Sequence, residues 1–141
     1  MPSNYDHQLA RFRHRFLEKK YNSCGLQKPD SYYLVMIARF QSLKLSRLIR
    51  ESPFHKSHAT RTINRLVNQG FITKTIDPED HRGYVVSATS KGKTTAQRVE
   101  AFHREWQDLM EAPLSETELE TVSKIKEKVL AYLENHFKEE D

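Results

Sequence analysis

The fold of this chain is indicated most directly by FHKSHATRTINRLVNQGFITKTIDPEDHRGYVVSAT, the stretch from Phe54 to Thr89. Apolar residues recur at helical spacing over residues 54–69, which predicts a helix with one buried face. The apolar positions are Ala59, Ile63, Leu66 and Val67. Gly70 ends this helix. Residues 71–76 and 84–89 are rich in β-branched and aromatic side chains, and the turn formers between them predict a β-hairpin with a charged tip.

The outer face of the predicted helix is basic and polar. It carries His55, Lys56, His58, Arg61, Thr62, Arg65 and Asn68. No acidic residue occurs between Phe54 and Ile76, whereas a solvated helix face usually mixes both signs of charge. A basic helix fits the major groove of B-DNA, where it can contact phosphates and base edges. The pattern therefore favours DNA binding over a plain surface helix of a small α-helical bundle.

Further helices are predicted on both sides of this stretch. Apolar spacing places three of them before it, over residues 5–20, 31–40 and 45–51. Two more follow it, one from Ser90 to about Met110 and a last one that ends near Phe137 and begins at a capping box, residues 115–118. A short helix, a turn, a basic helix and a hairpin occur in the order of a winged helix-turn-helix. We predict a mainly α-helical fold with a small β-hairpin wing.

Length and composition indicate a soluble globular protein. The 141 residues, with a formal charge of +4, suit one domain with its own core. A single cysteine, Cys24, excludes an intramolecular disulfide. The sequence contains no apolar run of the roughly 18–20 residues that a membrane helix needs. Because residues 1–16 also lack the apolar core of an export signal, we expect a cytoplasmic protein that does not associate with a membrane.

Positive charge is concentrated in the middle of the chain. Residues 44–98 carry 11 basic and 4 acidic side chains, whereas residues 99–141 carry 5 basic and 12 acidic ones. A basic segment beside an acidic one is typical of a surface that binds a polyanion, although solvated faces of different sign would give the same counts. The helix face without acidic residues favours the polyanion.

Three stretches of the sequence point to a known family. They are CGLQKPDSY at residues 24–32, SHATRTINRLVNQGFI at residues 57–72 and DHRGYVVSATSKG at residues 80–92. All three resemble the MarR family (multiple-antibiotic-resistance regulators) of bacterial transcription factors. The first is similar to the family's junction after the first helix, and the second to its recognition helix and first wing strand. The third is similar to its wing signature. The resemblance in order and spacing extends over nearly the whole chain.

The resemblance implies one MarR-like domain over residues 1–141. It places a winged helix-turn-helix at about residues 30–90, flanked by dimerisation helices at about residues 4–20 and 115–137. A homodimer of this kind binds a pseudo-palindromic DNA operator, usually as a repressor, and is released by a small molecule or by oxidation. These properties are expectations that the resemblance supplies.

The same resemblance implies roles for particular residues. It directs Ser57, His58, Arg61 and Arg65 to the major groove or its phosphates. It places Arg82 in or along the minor groove, with Asp80 holding it by a charge-assisted hydrogen bond. With the basic helix face included, the predicted DNA contacts are His55, Lys56, Ser57, His58, Arg61, Thr62, Arg65, Asp80 and Arg82.

Regulation suggests two further sets of candidates. An effector pocket between the dimerisation helices and the winged domain would be lined by Tyr21, Tyr32, Tyr33, Phe102 and Trp106. Aromatic residues at helical spacing are more often plain core, which is the alternative for each of them. Cys24 could sense oxidation, or it could be a bystander thiol.

We expect no cofactor, no metal and no enzymatic activity. His55 and His58 share a helix face, but no cysteine or carboxylate joins them at the spacing of metal ligands. The sequence has no P-loop, no dinucleotide-binding fingerprint and no hydrolase motif. Two function classes remain, an effector-controlled dimeric DNA-binding regulator and a winged-helix module that binds a protein or RNA partner. Apolar stripes near both ends of the chain favour the dimer.

Overall fold

The structure, a computed structural model, describes residues 4–138. In this part of the chain six α-helices accompany a small antiparallel sheet. The helices are α1 (Tyr5–Ser23), α2 (Lys28–Ala38), α3 (Leu45–Glu51), α4 (Lys56–Asn68), α5 (Ser90–Glu111) and α6 (Glu116–Lys138). The strands are β1 (Leu43–Lys44), β2 (Ile72–Ile76) and β3 (Tyr84–Ala88). The predicted mainly α-helical fold with a β-hairpin wing is confirmed.

The sheet contains one strand that the sequence pattern did not predict. Its order is β1-β3-β2, and the hairpin formed by β2 and β3 pairs Ile72 with Ala88 and Ile76 with Tyr84. The additional strand, β1, pairs Leu43 with Val86. Two residues are too few to show an alternating pattern, so only the fold reveals this strand.

The junction of α1 and α2 explains where both helices end and begin. Gly25 has a φ of 75°, and this left-handed conformation lets the Leu26 N–H donate to the Tyr21 carbonyl at 2.9 Å. A capping box then starts α2 at Lys28, three residues before the predicted start. In it the Gln27 N–H donates to Asp30 Oδ2 at 2.8 Å.

The described chain forms two compact units, one ending at Trp106 and the other beginning at Gln107. The core of the first unit is built from α2, α4, the sheet and α5. Its most buried apolar side chains are Tyr33, Leu34, Ile37, Ile63, Leu66, Val86 and Val99. The predicted apolar faces of α2 and α4 therefore meet in this core, although Ala38 and Val67 are only partly buried.

The start of α5 is fastened to the end of α4. Thr89 Oγ1 donates to the Gly70 carbonyl at 2.7 Å and accepts the Gly92 N–H at 3.0 Å. A Cβ atom at residue 92 would lie 1.9 Å from the Phe71 carbonyl oxygen. Only glycine permits this approach, so the start of α5 packs directly on the backbone that joins α4 to β2.

In the second unit, α6 begins at the predicted capping box and leaves an apolar face exposed. The Ser115 N–H donates to Glu118 Oε1 at 3.0 Å, and the Glu118 N–H donates to Ser115 Oγ at 3.2 Å. None of the described residues of α6 is buried within the chain. The exposed apolar side chains are Val122, Ile125, Val129, Leu130, Tyr132, Leu133 and Phe137.

None of the helices within residues 4–138 is both long enough and apolar enough to cross a bilayer.

Candidate nucleic-acid interface

The outer face of α4 is a polar surface with two cations. Its exposed residues, with the preceding His55, are Lys56, Ser57, Thr60, Arg61, Asn64 and Asn68. Five of them form a shallow depression, namely His55, Lys56, Ser57, Thr60 and Arg61. Thr60 and Asn64 were not among the predicted contacts. Their positions three and seven residues after Ser57 put them on its face, so helical spacing alone would have found them.

The first turn of α4 is held by a histidine cap. His55 Nδ1 accepts the Ser57 N–H at 3.2 Å and lies 2.8 Å from Ser57 Oγ. An unprotonated imidazole nitrogen can serve as an N-cap acceptor in this way, which satisfies one of the free N–H groups at the helix start. The contact orients His55 and Ser57 together at the end of the helix that would enter a groove.

Two predicted contacts are less accessible than expected. Thr62 is only 1% exposed, and its hydroxyl donates to the His58 carbonyl at 3.0 Å. Its predicted place on the outer face is therefore wrong, because α4 packs against α2, α3 and β2 and buries this position. His58 is half-buried, with its ring centroid 5.6 Å from that of Phe54. Its Nδ1 is buried and has no hydrogen-bond partner among the described residues.

Arg65 is engaged by a neighbouring helix. Its Nε donates to Asp30 Oδ1 at 3.2 Å, and its Nη2 donates to the same oxygen. The Asp30 side chain is 1% exposed, and the Arg65 side chain is 38% exposed. The guanidinium thus lies at the edge of the α4 face, with part of its donor capacity already used.

At the tip of the wing, Asp80 contacts backbone rather than a guanidinium. Its Oδ1 accepts the Arg82 N–H at 3.1 Å, and its carbonyl accepts the Gly83 N–H at 2.9 Å. The expected bond between the Asp80 and Arg82 side chains is replaced by this turn, because a carboxylate at the start of a turn readily caps an N–H two residues later. The Arg82 residue is exposed.

A cation that the sequence did not indicate lies beside the loop between β2 and β3. Lys44 Nζ in β1 lies 3.3 Å from Glu79 Oε2 and 3.7 Å from Asp77 Oδ2. The hydrogen bond to Glu79 and the charges of the two carboxylates raise the pKa of Lys44 above its usual value. One positive charge from β1 therefore partly offsets the negative charges of Asp77 and Glu79. The partners lie more than 30 positions apart along the chain, so no local pattern could reveal them.

The five aromatic residues predicted for an effector pocket form separate clusters. Tyr32 and Tyr33 pack on Phe54, with ring centroids 5.6 and 5.9 Å away. Tyr33 and Phe102 are buried in the core, and Trp106 contacts Phe16 at a centroid distance of 5.7 Å. Within residues 4–138, these four side chains therefore pack in separate clusters and do not surround one shared pocket.

A cavity lies beside α1, and Tyr21 is the one member of the five predicted aromatic residues that lines it. The cavity has a volume of about 370 Å³. Its lining residues are Ala10, Arg13, His14, Leu17, Glu18, Tyr21, Asn22, Gln27 and Lys28. The Tyr21 hydroxyl lies 2.6 Å from His103 Nε2. Burial raises the pKa of Tyr21, and this effect exceeds the lowering by the nearby positive charge of Arg13. Burial and the charge of Arg13 both lower the pKa of His103.

Cys24 lies at the end of α1, and neither it nor any described histidine belongs to a metal-binding group. The half-buried Cys24 follows α1 directly and donates its N–H to the Tyr21 carbonyl at 2.9 Å, and its Sγ lies 4.0 Å from Ser23 Oγ. Among residues 4–138, no three His, Cys, Asp or Glu side chains are grouped so as to hold a metal ion.

Comparison with known proteins assigns the segment that contains this surface. The sequence model of the MarR family matches residues 29–84. A curated relative, the HTH-type transcriptional regulator BilQ of Clostridioides difficile (strain CD3), is 29% identical over 93 residues. The match covers 66% of this chain and 63% of that protein, so the chain spans less than two thirds of the relative's length.

Solved structures share the fold. A MarR protein from Peptoclostridium difficile superposes with a TM-score of 0.80 at 23% identity, covering 100% of this chain and 94% of that one. A mutant MarR from E. coli complexed with operator DNA has a TM-score of 0.74 at 20% identity, covering 90% of this chain and 91% of that one. The MarR family model thus matches the segment over residues 29–84, which contains α4 and most of the wing, and the fold of the chain is that of the solved MarR structures.

Proposed function

We propose that this protein is a dimeric transcriptional regulator that binds a pseudo-palindromic DNA operator, represses transcription and is released by a small-molecule effector. The observation that carries the proposal is the exposed face of α4, which presents Lys56 and Arg61 among polar side chains and no carboxylate. Such a face suits both phosphates and base edges. The mutant MarR from E. coli, which has the same fold and is complexed with operator DNA, supports the proposal of DNA binding.

The electrostatics of the wing support the same function. A hairpin tip with several carboxylates would be repelled by DNA phosphates. Lys44 offsets two of them, since its ammonium lies within 4 Å of both Asp77 and Glu79. Arg82 is then left exposed at the tip, where a guanidinium can enter a narrow minor groove.

Exposed apolar helix faces support the dimer. Tyr5, Leu9 and Phe12 of α1 are 47–68% exposed, and α6 presents a longer apolar face. Soluble monomers rarely leave apolar patches of this kind uncovered. A two-fold dimer would cover them and would place two copies of α4 about one turn of DNA apart, roughly 34 Å.

The effector is best accommodated by the cavity beside α1. Arg13 and Lys28 supply positive charge there, Tyr21 supplies an aromatic side chain, and Glu18 is the one carboxylate among the lining residues. We therefore propose a small aromatic carboxylate as its ligand. Benzoate should weaken operator binding and raise the melting temperature, and benzamide should do neither. An Arg13→Ala variant that still responds fully to benzoate would exclude this cavity.

Selection from a random duplex pool tests the function. The parent protein should enrich a sequence with two-fold symmetry and should bind it at least a thousand times more tightly than scrambled duplex, as specific regulators typically do. A structured RNA of the same length is included as competitor. Enrichment of no sequence, or preferential displacement by RNA, would favour the alternative of a winged-helix interaction module.

A further inference from the structure

Asp30 is an almost fully buried carboxylate at the start of α2, and each of its oxygens has a partner. Oδ2 accepts the Gln27 N–H at 2.8 Å, which closes the capping box. Oδ1 accepts Nε of Arg65 at 3.2 Å and also its Nη2. A buried carboxylate is stable only when it is paired and hydrogen-bonded. The arrangement therefore requires Arg65 to stay where it is.

Arg65 lies in the last turn of α4, on the helix that carries the candidate DNA contacts. It follows Arg61 by four residues, so the two side chains are neighbours on the helix surface. The planar guanidinium holds the carboxylate in a fixed orientation that a lysine ammonium does not reproduce. The pair consequently restrains rotation of α4 about its own axis relative to α2, in addition to the apolar packing of the two helices.

We propose that Asp30 is a positioning residue for DNA recognition, acting through Arg65 to set the direction in which Arg61 and Asn64 leave α4. The proposal rests on the DNA-binding function argued above. It assigns Arg65 a structural partner in place of the contact with the major groove or its phosphates that the family resemblance implied. Asp30 itself is only 1% exposed, so its effect on recognition would pass through the residues that it contacts.

Four variants test this, each titrated with the selected operator and with scrambled duplex at several salt concentrations. They are Arg65→Met, Asp30→Asn, the double variant and Arg65→Lys. We expect each single variant to lose operator affinity roughly two- to thirty-fold. The losses on scrambled duplex should be smaller, and the slope of affinity against salt should not change. The double variant should bind no worse than the weaker single variant, because both remove one interaction.

The lysine variant and an arginine control separate positioning from charge. Arg65→Lys keeps a cation that could bind a phosphate but loses the planar fork, so it should bind like Arg65→Met. Arg39→Met removes an arginine whose ion pair with Glu100, at 3.7 Å, is exposed. It should leave operator discrimination unchanged. Thermal unfolding of every variant confirms that the titrated protein is folded, and if Asp30→Asn does not fold, Arg65→Lys alone decides.

Two results would overturn the proposal. If Arg65→Lys binds like the parent while Arg65→Met lowers the salt slope by about one, Arg65 contacts a phosphate directly. If Asp30→Asn is folded and binds the operator like the parent, the pair does not position α4. Failure of the parent protein to discriminate any duplex is a separate result, because it refutes the proposed function before any variant is compared.

Discussion

Among single residues, Lys56 and Arg61 are the two exposed cations of α4, and their chemistry differs. Arg61 can form a bidentate contact with a guanine edge, whereas Lys56, in the first turn, offers a point charge suited to a phosphate. We expect Arg61→Ala to lose about 1–3 kcal/mol of binding free energy on the operator and to relax discrimination at one base pair. Lys56→Ala should weaken all sequences about equally and reduce the salt slope by about one.

Titration of both variants against the operator, single-base variants and scrambled duplex measures these effects. Arg39→Ala is the control, since it removes an exposed arginine that lies outside α4, at the end of α2. Equal losses for Arg61→Ala on every duplex would mean that Arg61 contacts only the backbone of the DNA.

At this scale the sequence predicts which residue types face outward but not which of them are already engaged. Helical spacing correctly separated the buried Ala59 and Ile63 from the exposed Lys56 and Arg61. It could not show that Arg65 is paired, because its partner, Asp30, is 35 residues away. It also misplaced Thr62, since a wheel built on apolar residues underestimates how much of a helix its neighbours bury.

At the scale of elements, the junction between α4 and α5 depends on Gly92. A methyl group there would meet the Phe71 carbonyl oxygen at 1.9 Å, and backbone on both sides would have to move. We expect Gly92→Ala to lower the free energy of unfolding by about 1–3 kcal/mol or more. Chemical denaturation followed by circular dichroism measures the change.

Gly83→Ala is the matched control for this prediction. A Cβ atom at that position would lie 3.6 Å from its nearest neighbour, the Asp80 carbonyl oxygen. The substitution should therefore change the free energy of unfolding by no more than about 0.5 kcal/mol. A Gly92→Ala variant as stable as Gly83→Ala would show that the close approach relaxes without cost.

The wing gives a second prediction for an element. Asp80 Oδ1 accepts the Arg82 N–H, so its role is to shape the turn that presents Arg82. Asparagine keeps this acceptor and alanine does not. We expect Asp80→Ala to weaken operator binding, most strongly when A·T-rich sequence lies under the wing. Asp80→Asn should bind at least as tightly as the parent, because it preserves the turn and removes a negative charge.

Fluorescence titration at one fixed salt concentration compares the two variants. Arg82→Ala is the reference for complete loss of the tip contact. Asp80→Asn binding as weakly as Asp80→Ala would mean that the carboxylate charge holds the Arg82 guanidinium in the complex, as the family resemblance implied.

Elements with a strong local signal were predictable, and those created by tertiary pairing were not. The short helix α3 was predicted with its observed bounds, and the capping box at Ser115 and Glu118 forms as expected. The strand β1 and its Lys44 contacts to the wing depend on residues distant in sequence. A strand of two residues has no periodicity, so the local sequence could not predict β1 or the contacts of Lys44.

For the whole molecule, the sequence predicted apolar stripes near both ends, and the structure leaves them exposed. The spacing of apolar residues alone could not distinguish a helix face that packs inside the chain from one that contacts a second chain. Leu17 of α1 is 2% exposed, whereas Phe12 of the same helix is 61% exposed. Because α1 has a buried apolar part and an exposed apolar part, the exposed part is available to contact a second copy of the chain.

The proposed dimer predicts different effects for a charged substitution on opposite faces of α6. Val129 belongs to the exposed apolar face and Ala131 is exposed two residues later, about 200° around the helix. Val129→Glu would bury a charge in the interface, which is strongly unfavourable without a partner. Ala131→Glu adds the same charge on the opposite side of the helix. We expect only Val129→Glu to dissociate the dimer.

Light scattering after size exclusion measures the mass, which should be twice 16.6 kDa for the parent and for Ala131→Glu and near 16.6 kDa for Val129→Glu.

The affinity for the operator should fall in the variant that becomes monomeric. A dimer binds its second half-site at a high effective concentration, and a monomer loses that advantage. Val129→Glu should therefore bind the complete operator no more tightly than an isolated half-site, while its α4 face remains intact. A folded Val129→Glu monomer that retained full operator affinity would show that one copy suffices, and it would remove the two-fold geometry from the proposed mechanism.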